Sequence, residues 1–341
     1  MPAEIIDKGI PTDSLLTHII TNKFIYHMPL YRLQQQFKSM GVDIPMSKLC
    51  DWVAATAQAL KPLADKLKQH LLKESVIHAD ETPLKILDTR HKKNVTNGYV
   101  WAYASSFHSE NKIIYYQCAK NRSGQHVIDM LAHYTGTLVV DDYSGYKALF
   151  NNKPIEEAGC MTHVRRKFVE LVKLAPNSTA QYFIDEIAIL YHIEARFKHY
   201  PAVKRKRARQ WLSKPIMVRL KTWLDEKLGT ILPSTPLAKA IGHALKRWPA
   251  LKVYLNDGHV PIDNNHIERN IRGIAIGRKN WLFAGSFAAG ENMMSIISLL
   301  ATARANGLNP EQWLRETLAK LPSCLNREIN ELLPFKPIEI A

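Results

Sequence analysis

SGQHVIDMLAHYTGTLVVDDYSGY, residues 123–146, decides the fold class. Its first half, 123–134, has helical spacing, with Ser123 placed to cap the start. Its second half, TLVV, has strand character and runs straight into Asp141 and Asp142, followed by a Tyr-Ser-Gly turn. Upstream, SVIHADETPLKIL (75–87), GYVWAYASSF (98–107) and NKIIYYQCAK (111–120) are rich in β-branched and aromatic residues. Gly, Asn and Ser clusters separate them, so they predict three consecutive strands. Three strands, a crossover helix and a fourth strand predict an α/β domain with a mixed sheet. The helix is expected to return the chain parallel by a right-handed crossover.

Toward the N-terminus, residues 1–12 read as an extended arm. The segment 14–40 has helical spacing, with Leu30, Leu33 and Phe37 on one face. GVDIP, 41–45, is a turn, and a second helix carries Leu49, Val53 and Leu60 on one face with Trp52 beside them. A further amphipathic helix is predicted over 59–73, with Leu60, Leu63, Leu67 and Leu71 inward. Two helices about a short Gly-containing turn allow a helix-turn-helix, but the pattern is loose and a plain helical hairpin is the better reading. Beyond the fourth strand, 161–174 and much of 178–255 look helical. MMSIISLLATARANGLNPEQWLRETLAKLP (293–322) predicts two more helices, the first broken at Asn306-Gly307 and the second opened by Asn309-Pro310.

The chain has 341 residues, 46% of them hydrophobic, enough for a sizeable core and more than one domain. Lys and Arg number 46 against 31 Asp and Glu, a net charge of +15 that attracts polyanions and makes nucleic acid the first partner to test. An ordinary basic enzyme is the plain alternative. The stretch 196–221, RFKHYPAVKRKRARQWLSKPIMVRLK, holds ten Lys/Arg and no acid. A solvated face is the usual account of such a run, but the lack of any counter-charge favours a phosphate-tracking surface. The four cysteines, at 50, 118, 160 and 324, form no CxxC pair, which argues against a disulfide framework or a four-cysteine zinc site and fits a reducing cytosol. The N-terminus lacks the form of a signal peptide and no apolar run reaches membrane-span length. The expectation is a soluble, intracellular protein.

Three acidic positions stand out by location. Asp80 is expected to end the first strand, Asp141 and Asp142 end the fourth, and Glu268 lies on a helix marked by Ile267, Ile271 and Ile274. In α/β sheets ligands gather at the carboxyl ends of strands. Clustered carboxylates repel one another, and a hard divalent cation such as Mg²⁺ reverses that penalty. Two such ions suit phosphodiester cleavage and transfer. Each acid also has a plain structural reading. Asp80 could cap the ETPLKIL turn, and Asp142 could close an Asx-turn. Glu268 could pair with Arg272 or complete a capping box from Asn265. Adjacent strand residues face opposite ways, so Asp141 and Asp142 cannot share one metal while the strand persists, and spacing does not choose between them.

The sequence resembles the IS66 family of bacterial insertion-sequence transposases over nearly its whole length. The resemblance is carried by MPLYRLQQQFKSMGVDIPMSKLCDWV (28–53), HADETPLKIL (78–87), GYVWAY (98–103) and DDYSGYKAL (141–149). It continues in GCMTHVRRKF (159–168), IDNNHIERNIRGIAIGRKNWLFAGS (262–286) and ATARANGLNPEQWL (301–314). It implies an RNase H-like catalytic core with an Asp-Asp-Glu triad of Asp80, Asp141 and Glu268, holding two Mg²⁺ or Mn²⁺ ions. The family's second acid precedes a Gly-Tyr, so it matches Asp141, and Asp142 stands where the Gly normally lies. Gly273 stands where the family commonly has Pro. Members carry an upstream coiled-coil-like segment and a cysteine-rich zinc module, and this sequence starts after both, as a truncated copy would.

Asp141 and Glu268 lie 127 residues apart (268 − 141), more than a compact RNase H-like domain needs, which implies a helical insertion. The expected division is therefore a helical region over 1–73, a first part of the core over 74–174, a basic helical insertion over 175–258, and the rest of the core with C-terminal helices over 259–341. DNA contacts are expected from Arg165, Arg166 and Lys167, from Lys204, Arg205, Lys206 and Arg207, and from Arg272, Arg278 and Lys279. Cys160 and His163 have ligand-like spacing. With no two further zinc ligands to nominate, a local structural role is preferred. Trp281 and Phe283 are either core aromatics, the plainer reading, or stacking platforms for an unpaired base.

The function this implies is a DNA transposase that cleaves the element's ends and joins them to target DNA. By analogy it works as a homo-oligomer at synapsis, with accessory proteins of the same element. The rivals are a non-catalytic DNA-binding remnant of a decayed element and a metal-dependent nuclease.

Overall fold

The computed structural model describes residues 5–6, 9–88, 94–152 and 154–335. Half of the arm expected over 1–12, residues 1–4 and 7–8, lies outside them. The chain divides into two compact units. One comprises 1–74, 80–133 and 267–341, and the other comprises 75–79 and 134–266.

The first unit begins with three helices, α1 (Asp13–Phe24), α2 (Leu30–Ser39) and α3 (Met46–Leu71). Thr12 caps α1 by accepting from the Leu15 amide. The helical segment expected over 14–40 is interrupted between α1 and α2, where His27 takes φ +57 and Pro29 precedes α2. Ile19, Leu33, Phe37, Ile44 and Leu49 close a small core, with Leu30, Trp52 and Val53 packed against it. α3 is one helix rather than two. It runs through Pro62, where the loss of one backbone bond is outweighed by a continuous buried stripe of Leu49, Leu60, Leu63, Leu67 and Leu71. Each leucine contributes about 1.5–3 kcal/mol by burial.

The strands are β1 (Val76–Leu87), β2 (Val95–Ser105), β3 (Ile114–Ala119), β4 (Gly136–Val140) and β5 (Ile155–Gly159). They are ordered β3-β2-β1-β4-β5 in one mixed sheet, and β1 belongs to both units. β2 and β3 pair antiparallel. β1 and β4 pair parallel through Val76↔Thr137, Ile77↔Leu138 and His78↔Val139, and β4 and β5 pair parallel. The crossover helix α4 (Gln125–Met130) is shorter than expected, because Tyr134 leaves it to donate its hydroxyl to the carbonyls of Ser75 and Thr137. Gly136 then takes φ +151 against the Ser75 carbonyl, a backbone only glycine enters easily.

β3 is an edge strand, and α12 (Phe287–Ala305) covers it. Ser298 accepts from the Tyr116 amide, Thr302 accepts from Ile114 and donates to its carbonyl, and Asn306 does both to Lys112. Residues at i, i+4 and i+8 on the helix thus meet alternate residues of the strand, and the exposed backbone edge is satisfied. α11 (Asn265–Trp281) and α13 (Pro310–Lys320) are the other late helices, and Asn309 caps α13 as predicted.

In the second unit β4 leads to α5 (Lys147–Asn152) and β5, then to α6 (Met161–Leu174), α7 (Ser178–Phe197), α8 (Ala202–Ala208), a π-helical turn (Arg209–Ser213), α9 (Lys214–Thr230) and α10 (Pro236–Leu251). One core joins the strand residues Val76, Val139 and Ala158 to these helices, with the Phe168 and Phe183 rings stacked at 3.9 Å. Gly258 is required here, since a Cβ would lie 1.9 Å from the Ala202 carbonyl oxygen. Among the described residues, no helix is long and apolar enough to cross a membrane.

Candidate functional site

β1 does not end at Asp80 as expected. It continues to Leu87, because past its pairing with β4 its edge is taken up by Ala284, whose amide donates to Lys85 and whose carbonyl accepts from Leu87. Asp80 is therefore a mid-strand residue, just beyond the last pair with β4. It is half-buried, and its Oδ1 accepts from the Glu81 amide at 2.8 Å. Glu81 beside it is held by Arg122, at 2.7 Å from Nε and 2.5 Å from a terminal nitrogen.

The end of β4 repeats this arrangement. Asp141, half-buried, accepts from the Tyr143 amide at 2.9 Å through Oδ1, so Asp141 and not Asp142 makes the Asx-turn. Asp142 is taken up by α10, with His243 Nε2 at 3.1 Å and Arg247 at 3.4 Å. Arg247 also reaches Glu157 on β5 at 2.5 Å. Burial, and next the Lys167 charge, push the His243 imidazole below its usual range, outweighing Asp142. At each strand position an acid is followed by a second acid bound to a cation, and the first carries an oxygen held by a backbone amide.

Glu268 is half-buried in the first turn of α11, where the helix dipole favours a carboxylate. The segment before α11 is built by side chains that sequence reasoning passed over. Asn264, fully buried, donates to the Ala79 carbonyl at 2.9 Å and accepts from His78 Nδ1 at 2.7 Å. Its own amide donates to Cys160 Sγ at 3.2 Å. Burial holds His78 at a pKa of about 4, so the ring is neutral at pH 7, and its Nδ1 carries the proton that Asn264 accepts. Asp263 accepts from the Asn265 amide and side chain and from the hydroxyls of Tyr191 and Thr162. Burial raises the Tyr191 pKa, and the nearby Asp263 charge adds to the rise. The DNN run signalled this segment, because three short polar residues ahead of a helix seldom lack backbone partners.

Cys160 precedes α6 and is buried, and His163 is half-buried in its first turn. The Asn264 amide bond gives Cys160 a packing role within its own unit. Among the expected DNA contacts, Arg166, Lys167, Lys204, Lys206, Arg207, Arg272 and Lys279 are exposed, and Arg165 is half-buried. Arg205 is not available to a phosphate. It is 6% exposed, and its guanidinium donates to the carbonyls of Gly258 and Tyr200. Arg209 of the same run is buried too, fork-to-fork on Glu194 at 2.8 and 2.6 Å and bound to the carbonyls of Tyr254, Asp257 and Val260. Arg278 donates to Thr82 Oγ1 and the Pro83 carbonyl. Trp281 is half-buried and Phe283 is 41% exposed.

A family model described as "Transposase IS66 family" matches residues 8–292, and one described as "IS66 C-terminal element" matches 298–335. Three proteins of Sinorhizobium fredii are similar to the chain. Uncharacterized protein y4jD is 34% identical, over 98% of this chain and 67% of its own length. Uncharacterized proteins y4qI and y4hP are 33% and 31% identical, over 98% of this chain and 65% and 64% of their own lengths. The chain spans about two thirds of the length of these curated relatives. No solved structure matches.

Proposed function

Because the chain belongs to the IS66 transposase family, we propose that it is a DNA strand-transfer enzyme with an RNase H-like core whose metal ligands are Asp80, Asp141 and Glu268. The observation that carries this reading is the register of β1 on β4. The last pair is His78↔Val139, and two residues further along each strand stand Asp80 and Asp141. Asn264 supports the third ligand, since it bonds the carbonyl of Ala79, the residue before Asp80, and stands four residues before Glu268. The strand order, with β2 and β3 antiparallel and β4 parallel to both β1 and β5, supports the RNase H-like assignment.

The three half-buried carboxylates are the donor type that a hard divalent cation prefers. Asp80, Asp141 and Glu268 would hold two Mg²⁺ or Mn²⁺ ions, which would supply activation of an attacking oxygen and stabilisation of a leaving one. The residues of this chain do the positioning. The backbone amides of Glu81 and Tyr143 fix one oxygen each of Asp80 and Asp141, while Arg122, His243 and Arg247 hold the neighbouring acids aside. The exposed cations on α6, α8 and α11 would bind phosphates, and pairing of two DNA ends calls for at least two copies of the chain.

A labelled element end, a plasmid target and Mg²⁺ test the reading on a gel. A transposase both cleaves the end and joins it to the plasmid. Cleavage without joining would establish the nuclease instead, and salt-sensitive binding with neither would establish the remnant.

A further inference from the structure

A cavity of about 300 Å³ lies within the first unit, between the end of α1, β3, α11 and α12. Arg269 and Arg272 of α11 and Arg304 of α12 line it, and among the described residues no carboxylate does. All three arginines are exposed, and among the described residues none makes an ion pair. Three guanidiniums gathered without a counter-charge repel one another, and an anion between them would offset that. The remaining wall is mostly apolar, with the rings of Phe24, His27, Tyr116 and Trp281 set among Ile25, Ile274 and Leu300. His27 and Trp281 stand 5.5 Å apart, Phe24 meets Trp281 edge-on at 6.2 Å, and the Trp281 Nε1–H donates to the Lys23 carbonyl, which fixes the indole. His27 holds φ +57, an uncommon conformation for a residue with a side chain and one that clusters at ligand sites.

We propose that this cavity binds a nucleotide, its phosphate on Arg269, Arg272 and Arg304 and its base against Trp281 and His27. Arginine forks match phosphate oxygens, and every base offers a π-face to an aromatic wall. The cavity size fits one nucleotide at the low end of small-ligand sites. The nucleotide comes either free or as a residue of a DNA strand. The inference does not depend on the carboxylate site.

Gly273 supplies the test. It lines the cavity, and a Cβ there meets nothing within 4 Å, so Gly273→Leu begins a side chain in open space and has better helix propensity. The full chain is titrated with dAMP, deoxyadenosine, inorganic phosphate and a short single-stranded oligonucleotide, following binding by calorimetry and folding by thermal melting. The expected result is that dAMP or the oligonucleotide binds more tightly than deoxyadenosine or phosphate. Gly273→Leu and Arg272→Gln should each weaken it by roughly tenfold, the loss of one charge-assisted bond, with the melting temperature kept. Response to dAMP alone assigns a free nucleotide, and displacement of dAMP by the oligonucleotide assigns a strand. Absence of binding by both, or affinities untouched by Gly273→Leu, overturns the proposal. Because Asp80→Asn leaves the cavity intact, dAMP binding by that variant distinguishes failure of this inference from failure of the catalytic one.

Discussion

Asp141 and Asp142 differ by one position and by everything around them. Asp142 is a structural carboxylate, bound to His243 and Arg247 at a half-exposed site. Asp142→Asn should leave strand cleavage within about twofold of the wild type and cost at most about 1 kcal/mol, the usual worth of a partly exposed pair. An activity assay and a urea melt check it. The sequence could not make this distinction by itself. Strand alternation excluded a shared metal but left both acids open, and the resemblance to the family chose Asp141. What ties up Asp142 comes from α10, 101 residues away in the chain, beyond the reach of any local pattern. Asp80 and Glu81 pose the same choice without a local sign of it, because Arg122 is also remote in sequence.

Elements were more legible than their ends. The three strands, the crossover helix and the parallel fourth strand all follow from periodicity, and α6 has the predicted bounds. The end of β1 was missed because Asp80 read as a strand end that could cap the ETPLKIL turn, while Ala284 supplies a backbone partner from far along the chain. The zipper of α12 on β3 was also hidden, since Ser298, Thr302 and Asn306 look like polar interruptions of an apolar helix. Thr302→Val keeps the shape but leaves the buried Ile114 amide and carbonyl without their partner. It should destabilise by about 1–3 kcal/mol in chemical denaturation.

At the scale of the whole molecule, a run of like charge in sequence is not a run of unpaired charge in space. The run 196–221 has no acid of its own, yet Glu194 meets Arg209, Glu186 meets Arg219 and Asp225 meets Lys221. A signal was present. Arg205, Arg209 and Ser213 extend, at helical spacing, the buried stripe of Met217, Leu220 and Leu224, which marks the two arginines as inward. Arg209→Met should therefore cost about 3–5 kcal/mol of stability, because it leaves the largely buried Glu194 carboxylate unpaired. Replacing exposed Lys204, Lys206 and Arg207 by Ala should leave stability within about 0.5 kcal/mol. It should also flatten the slope of log affinity for DNA against log salt by about 0.9 for each phosphate these side chains neutralise. Melting curves and salt titrations of the two variants check the assignment.

The central claim is that Asp80, Asp141 and Glu268 act together on DNA. Its most direct measurement is the rate of Mg²⁺-dependent cleavage of a labelled end by Asp80→Asn, Asp141→Asn and Glu268→Gln, with DNA affinity measured in parallel. Each should lose more than the roughly 10–100-fold that changes to the outer partners of a metal ligand cost, while still binding DNA. Wild-type cleavage by any one of the three would contradict the account.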